Sequence, residues 1–179
     1  MRRTFALVAV LLAGSWLSGC RSGTSCVDPP TPHVEPPPPG WAVALHGGAG
    51  TMPRDMAEDE KGRYLAALGA ALDDAAARLA GGAAAVDVVE AVIRRMEDDP
   101  LFNAGRGAVY TKAGTHELDA SIMTGDLRCG AVAGVKTVRH PISLARAVME
   151  KTPHVIVAGE GADRFAVELG HEIVPNAWF

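Results

Sequence analysis

The sequence has no basic patch. Its 17 lysine and arginine residues are outnumbered by 21 aspartate and glutamate residues, which gives a formal net charge of −4. Past residue 40 the most basic stretch is the Arg94–Arg95 pair, which is typical of a solvated helix face. The charge pattern therefore predicts no nucleic-acid partner. With 48% hydrophobic residues among 179, the composition favours one soluble globular domain.

Cysteine is scarce, and none of the three cysteines has a spacing typical of metal binding. Cys26 and Cys129 could form a disulfide, although no feature of the sequence supports one. The cysteine pattern therefore predicts neither a zinc site nor a disulfide framework. The remaining residue, Cys20, has a different interpretation.

The N-terminus lacks an apolar run of the ~20 residues that a membrane-spanning helix needs. Instead, Arg2 and Arg3 precede a shorter apolar stretch, residues 5–16, as in a secretory signal peptide. This stretch ends in Leu17-Ser18-Gly19-Cys20, which resembles the lipobox of bacterial lipoproteins. We therefore expect residues 1–20 to be a lipoprotein signal peptide, cleaved before a lipidated Cys20. The exported protein would be anchored to the periplasmic or cell-surface face of a membrane. The alternative is an ordinary secretory signal with an incidental cysteine.

Residues 21–40 are predicted to be a proline-rich tether. Seven of the twelve residues from Asp28 to Pro39 are proline, which favours extended polyproline II structure. At ~3.1 Å per residue, such a spacer could hold a domain roughly 60 Å from a bilayer.

Residues 41–179 are predicted to fold as an α+β domain. Apolar residues at helical spacing indicate helices over 56–80, 83–97, 142–151 and 160–169, with Gly81-Gly82 and Gly170 ending two of them and Pro141 near the start of a third. Short apolar or alternating runs indicate strands over 41–46, 108–111, 117–123, 127–138 and 154–158, with a fragment at 172–174. Because consecutive strands are joined by short turns, an antiparallel sheet with helices packed on it is expected.

Three local patterns could carry chemistry. The loop His46-Gly47-Gly48-Ala49-Gly50 follows a strand but lacks the residues of a phosphate-binding motif. His116 and Glu117 should point to opposite faces of a strand, so only Glu117 and Asp119 share one, and a metal cluster is disfavoured. A hydrolase with an N-terminal threonine needs a Gly-Thr pair to cleave, and Gly114-Thr115 is the one serious candidate, although a hairpin turn explains it equally well.

Five blocks of sequence resemble the plant-type asparaginase/isoaspartyl peptidase family, in the family's order. They are Trp41-Ala-Val-Ala-Leu-His-Gly-Gly-Ala-Gly50, Glu97-Asp-Asp-Pro-Leu-Phe-Asn-Ala-Gly-Arg-Gly-Ala108, Thr115-His-Glu-Leu-Asp-Ala-Ser-Ile-Met123, Gly130-Ala-Val-Ala-Gly134 and Pro153-His-Val-Ile-Val-Ala-Gly-Glu-Gly161. Together they are spread over nearly all of the predicted folded region, residues 41–179.

The resemblance implies an N-terminal nucleophile hydrolase with an αββα sandwich, made as a precursor that cuts itself into α and β subunits. The β subunit begins with the nucleophilic threonine and carries the groups that grip the substrate. This chain resembles the α half alone, so Gly114-Thr115 becomes a turn. We expect the chain to be inactive and poorly soluble without its β partner. The complete enzyme would be an (αβ)2 heterotetramer acting on L-asparagine or β-aspartyl dipeptides.

The resemblance also implies supporting site residues and no organic cofactor. A structural sodium ion would be held by main-chain carbonyls of Met96, Glu97, Asp99, Phe102, Ala104 and Arg106. Asn103 would help to position the nucleophile, or else bond to its own backbone. The His46–Gly50 loop would support the active site. The alternative function is a non-catalytic lipoprotein, either from a truncated gene or as a binding module on this scaffold.

Overall fold

A computed structural model describes residues 40–48 and 53–179. The predicted signal peptide, nearly all of the predicted tether, and Ala49 and Gly50 lie outside these ranges. The described part contains four α-helices: α1 (Glu58–Ala80), α2 (Ala85–Glu97), α3 (Pro141–Lys151) and α4 (Gly159–Glu168). It also contains strands β1 (Leu118–Met123), β2 (Cys129–Val135) and β3 (Ile156–Ala158), and 3-10 turns at Gly105–Gly107 and Asn176–Trp178. None of the described helices is long and apolar enough to cross a bilayer.

The four helices lie close to their predicted positions, and α1 and α2 pack against each other. Their contact is built on Ala71 and Ala75 of α1 and on Val88 and Val92 of α2. On α2, Val88 is buried, whereas the neighbouring Val89 is exposed. Helix α2 therefore has two apolar sides. Val88 and Val92 face the α1 cluster, whereas Val86 and Ile93 pack against the core under the sheet.

The predicted strand over residues 41–46 is wrong as a paired strand. Its side chains do alternate between half-buried and exposed, and Val43 and Leu45 pack on the α1–α2 cluster. However, the described residues provide no strand that pairs with it. An extended segment becomes a sheet strand only when its amide and carbonyl groups meet those of a neighbour.

The predicted strand over residues 108–111 is also wrong, and its hydrogen bonds explain why. Ala108 donates to the carbonyl of Gly105 at 3.1 Å, and Thr111 donates to the carbonyl of Thr115 at 2.7 Å. The Val109 amide donates to the side chain of Asn103 at 3.0 Å. Because three of the four amides in this segment are bonded within local turns, the segment does not form the regular hydrogen bonds of a sheet strand.

The sheet has the order β1-β2-β3. Strands β1 and β2 are antiparallel, as predicted, but β2 and β3 are parallel. Residues 136–155 between them include α3, and a crossover of that length permits a parallel pair. The predicted fragment at 172–174 is reduced to a single antiparallel bridge between Val138 and Ile173.

Helices α3 and α4 cover one face of the sheet, and the main core lies there. Its fully buried members include Val132 and Val135 of β2, Ile142 and Leu144 of α3, and Ala162 of α4. No described element covers the opposite face. Its side chains are Ser121 and Met123 of β1, Cys129, Ala131 and Ala133 of β2, and Ile156 and Ala158 of β3. The strand predicted over residues 154–158 forms at Ile156–Ala158, but the burial expected for its short apolar run is wrong, since Ile156 is 57% exposed. A mixed α+β architecture is present, with one sheet and one helical layer on it.

Close packing of α3 on β2 depends on Gly130. A Cβ atom at this position would lie 2.5 Å from the Met149 amide nitrogen and would overlap the Ala145 carbonyl oxygen. We expect Gly130→Ala to lower the free energy of unfolding by about 2–3 kcal/mol, because the helix must move away from the sheet. Urea denaturation would measure this. Gly125→Ala, in the open turn after β1, is the control and should change stability by less than about 0.5 kcal/mol.

Candidate functional site

The segment that follows α2 folds back on itself, and we call residues 98–107 the 98–107 loop. Four of the six predicted sodium-binding carbonyls accept backbone hydrogen bonds within this turn region. These bonds run from Asp99 to Met96, from Phe102 to Asp99, from Ala104 to Phe102 and from Gly107 to Ala104, at 2.8–3.2 Å. Each carbonyl oxygen has a second lone pair, so these bonds leave it able to bind a cation.

Two glycines shape the inside of this loop. Gly105 has φ of +51°, and a Cβ atom there would overlap the carbonyl of Glu97. A Cβ atom on Gly107 would overlap the carbonyl of Phe102. Only glycine therefore allows the backbone at positions 105 and 107 to pack this closely against the two carbonyls. An all-oxygen donor set of this kind fits a hard cation such as sodium.

The side chain of Arg106 lies beside an aromatic ring. Its guanidinium carbon is 5.9 Å from the centroid of the Trp178 ring, and that of Arg139 is 5.3 Å from the same centroid. The charge that Arg106 adds to the loop is thus directed to the C-terminal segment. Its carbonyl remains part of the predicted cation site.

Asn103 is exposed, and its side-chain oxygen accepts the hydrogen bond from the Val109 amide at 3.0 Å. Of its two predicted roles, the structure contains the local backbone bond. The amide nitrogen of Asn103 has no hydrogen-bond partner among the described residues. Asn103 also lines a cavity of about 240 Å³ together with Glu97, Glu117 and Asp119. The side-chain amide of Asn103 therefore lies at a cavity that three carboxylates also line.

The Glu97 side chain is a feature that the sequence reasoning missed. It is 3% exposed, and one carboxyl oxygen accepts a hydrogen bond from the Ile142 amide, at the start of α3, at 3.0 Å. The other oxygen, Oε2, is buried without a partner. Burial raises the pKa of this carboxyl from 4.5 to about 8, outweighing the Ile142 hydrogen bond, which lowers it. A signal was present, because Glu97 lies four residues after Ile93 and continues its apolar helix face.

Asp98, the next residue, is in contact with the side chains of Arg139 and His140. Arg139 Nε lies 3.1 Å from Asp98 Oδ1, and His140 Nε2 lies 3.1 Å from Asp98 Oδ2. Partial burial raises the pKa of Asp98, but the contacts with His140 and Arg139 outweigh it and lower the pKa. His140 Nε2 is in ion-pair range, although it lacks the alignment of a hydrogen bond. The start of the 98–107 loop is therefore fixed by charge.

The glycine-rich loop reaches the same region through its described part, His46 to Gly48. Gly47 packs against Leu68 of α1, and a Cβ atom there would lie 3.7 Å from the Phe102 ring. His46 Nδ1 accepts the Gly48 amide at 3.1 Å, and Gly48 has φ of +115°. The structure thus brings this loop and the 98–107 loop together, which their distance in sequence did not reveal.

The residues that were considered for other chemistry have structural roles. His116 is 4% exposed, while Glu117 faces solvent and pairs with Lys136 at 3.0 Å. Asp119 accepts the Gly134 amide at 2.7 Å. Gly114, with φ of +74°, lies in the turn in which Thr111 and Thr115 bond to each other. Across residues 40–48 and 53–179, no three His, Cys, Asp or Glu side chains are grouped to hold a metal ion.

The family model described as Asparaginase matches residues 39–179. A probable isoaspartyl peptidase/L-asparaginase 2 from Arabidopsis thaliana is 51% identical over 142 residues, which are 78% of this chain and 43% of that protein. The isoaspartyl peptidase of Salmonella typhimurium is 51% identical over 130 residues, 72% of this chain and 42% of that protein. The plant-type L-asparaginase of Thermococcus kodakarensis is 46% identical over 132 residues, 73% of this chain and 42% of that protein.

The chain therefore spans about two-fifths of the length of these curated relatives. The family match runs through every element described above, from the segment at 41–46 to the 3-10 turn at Asn176–Trp178. It includes both loops that meet at Phe102. The chain belongs to the plant-type asparaginase and isoaspartyl peptidase family.

Proposed function

We propose that this chain supplies the α half of a hydrolase that cleaves the side-chain amide of L-asparagine or the isoaspartyl bond of β-aspartyl dipeptides. The observation that carries the proposal is the family match over residues 39–179. Relatives that are 46–51% identical are named for these two activities. The chain covers about two-fifths of their length, so the nucleophile would come from polypeptide outside these 179 residues.

The uncovered sheet face supports a second layer of structure. The central strand β2 presents the small side chains of Ala131 and Ala133 on this face, and Ser121 of β1 and Ala158 of β3 beside them are also small, whereas Met123 and Ile156 are larger. Small side chains let two sheets approach to about 10 Å, the usual spacing in a sandwich. The extended segment at 41–46 adds unpaired backbone that another strand could bond. Both features suit half of an αββα sandwich whose second sheet belongs to the complementary half.

In the complete enzyme, the threonine hydroxyl would attack the side-chain carbonyl carbon of the substrate. The α-amine of the same threonine would accept the hydroxyl proton. Ammonia or the amine of the released amino acid would leave, and water would then cleave the acyl-enzyme to give aspartate. The contribution of this chain would be positional. Asn103 would offer its uncommitted amide to the nucleophile, and the loops that meet at Phe102 would fix the position of Asn103.

A sodium ion fits this proposal as a structural element. The carbonyls of the 98–107 loop and of the end of α2 would hold it, namely those of Met96, Glu97, Asp99, Phe102, Ala104 and Arg106. When bound, the ion would supply positive charge that stabilises the closely spaced carbonyl dipoles. Gly105 and Gly107 allow the close backbone packing that shapes the loop around the carbonyls of Glu97 and Phe102.

Complementation tests the proposal. The chain would be co-expressed with the unmatched remainder of the Salmonella isoaspartyl peptidase, and we call the product the complemented protein. We expect it to release ammonia from L-asparagine or an amino acid from a β-aspartyl dipeptide, whereas either part alone should remain at background. Mass measurement of the product would test the proposed (αβ)2 assembly. Turnover by the 179-residue chain alone, or association without turnover, would count against the proposal.

We further propose that the protein is exported and lipidated at Cys20, from the sequence Leu17-Ser18-Gly19-Cys20. Cys20→Ala should move nearly all of the protein from the membrane fraction to the soluble fraction, because the acyl chains provide the anchor. Fractionation of bacterial cells, with labelled fatty acid incorporation, would measure this. Cys26→Ala is the matched control. An unlabelled wild-type protein would favour an ordinary secretory signal instead.

A further inference from the structure

The Trp178 ring lies near two guanidinium groups that belong to different parts of the chain. Arg106 is near the end of the 98–107 loop, and Arg139 follows β2. Their guanidinium carbons are 5.9 and 5.3 Å from the centroid of the Trp178 ring. Both distances are within the range in which an aromatic ring attracts a cation. One ring therefore contacts both arginines.

Arg139 continues the connection to the beginning of the 98–107 loop. Its Nε is 3.1 Å from Asp98 Oδ1, and its Nη1 is 2.8 Å from Glu172 Oε1. Arg139 is thus neutralised by two carboxylates. Arg106, in contrast, has no carboxylate within ion-pair distance among the described residues, so the Trp178 ring is the group that faces its charge. The loop is held at Asp98 and at Arg106, and the two attachments meet at Trp178.

Trp178 is itself fixed in place by its neighbours. The Asn176 side chain accepts the His116 amide and donates to the His116 carbonyl, both at 2.9 Å, and donates to the Lys136 carbonyl at 3.0 Å. Phe179 is buried in the main core and packs edge-on against Trp178, with ring centroids 5.4 Å apart. Because Asn176 and Phe179 are both anchored, the ring is a fixed surface to which the loop can attach.

We propose that Trp178 is a positioning residue for the 98–107 loop, joining Arg106 at its end to Arg139 and Asp98 at its beginning. The loop carries Asn103 and four of the six carbonyls proposed to bind sodium, so its geometry would be set by a side chain about 70 residues away in sequence. The consequence for catalysis rests on the proposed function. The consequence for the loop itself does not.

Amide hydrogen exchange in the full chain and in the complemented protein tests whether Trp178 holds the 98–107 loop in place. The amides of Gly107, Ala108 and Val109 are bonded within the loop region, at 3.0–3.1 Å. Trp178→Leu, which keeps apolar volume but removes the ring, should speed their exchange roughly fivefold to tenfold. Trp178→Phe, which keeps a ring, should change it less than about twofold. Arg106→Gln should reproduce the effect of Trp178→Leu, and the double variant should add little to either change.

Equal exchange in the leucine and phenylalanine variants would show that bulk packing is sufficient, and it would overturn the proposal. Additive effects of Trp178→Leu and Arg106→Gln would do the same. Turnover of the complemented protein separates the two claims. A loosened loop together with a lower kcat and little change in KM would support both. A loosened loop with unchanged turnover would support the positioning role of Trp178 and count against the role of the loop in the proposed function.

Discussion

Glu97→Gln should flatten the pH dependence of unfolding between about pH 5 and pH 9. Because burial raises the pKa of Glu97 from 4.5 to about 8, the folded state holds a proton that the unfolded state releases across this range. Stability contributed by the protonated carboxyl is therefore complete below about pH 5 and is lost as the pH rises through about 8. The slope is on the order of 1 kcal/mol per pH unit. Urea midpoints of the complemented protein at several pH values would measure it.

The comparison of variants separates charge from packing. Glutamine keeps an oxygen that can accept the Ile142 amide and carries no charge at any pH, so it should match or exceed the wild type in stability at pH 9. Glu97→Ala removes the acceptor of a buried amide and leaves a cavity, and relative to Glu97→Gln it should cost about 2–4 kcal/mol both at pH 5 and at pH 9. If the wild type and Glu97→Gln lost stability in parallel with rising pH, Glu97 would not be the titrating group.

Local rules were sufficient where a sequence feature and its structural cause lie close together. Pro141 marks the first turn of α3, and Gly170, with φ of +74°, follows the end of α4. In both cases one residue determines the local backbone, through the fixed φ of proline or the positive φ that glycine permits, and no distant partner is needed.

Apart from the strand predicted at 108–111, which local turns replace, the errors arose where the outcome depends on a distant partner. The segment at 41–46 has the apolar run of a strand, yet pairing depends on a neighbour that the described residues do not supply. Strand β3 has the same apolar character and is exposed, because burial depends on whether a second layer covers its face. The crossover through α3 makes β3 parallel to β2, and the order of apolar runs in the sequence does not reveal this direction.

The site shows the same limit. The family resemblance located the two loops and the carbonyls, but not how they are joined. Gly47 meets Phe102 across more than 50 residues of sequence, and Arg106 meets Trp178 across about 70. The burial of Glu97 could have been predicted from its position on the Ile93 face of α2. The bond from Ile142 to its carboxyl required the three-dimensional structure.

Gly105→Ala should be the most damaging small substitution in the 98–107 loop. Its Cβ atom would overlap the Glu97 carbonyl, and its φ of +51° already disfavours any side chain. We expect the free energy of unfolding to fall by about 3 kcal/mol or more, since backbone rather than a flexible side chain must move. Turnover of the complemented protein should fall at least tenfold, because the loop that carries Asn103 is displaced. Urea denaturation and initial rates would measure the two effects.

Gly114→Ala separates the two causes of this loss. Gly114 has φ of +74° but nothing within 4 Å of a Cβ atom, so alanine there should cost only about 1 kcal/mol and leave turnover nearly unchanged. The excess cost at Gly105 is then the cost of moving the Glu97 carbonyl. If that carbonyl also binds sodium, added sodium should stabilise the wild type and Gly114→Ala but not Gly105→Ala. Equal losses at the two glycines would mean that the loop yields easily, and that the close approach of Gly105 to Glu97 does not determine its shape.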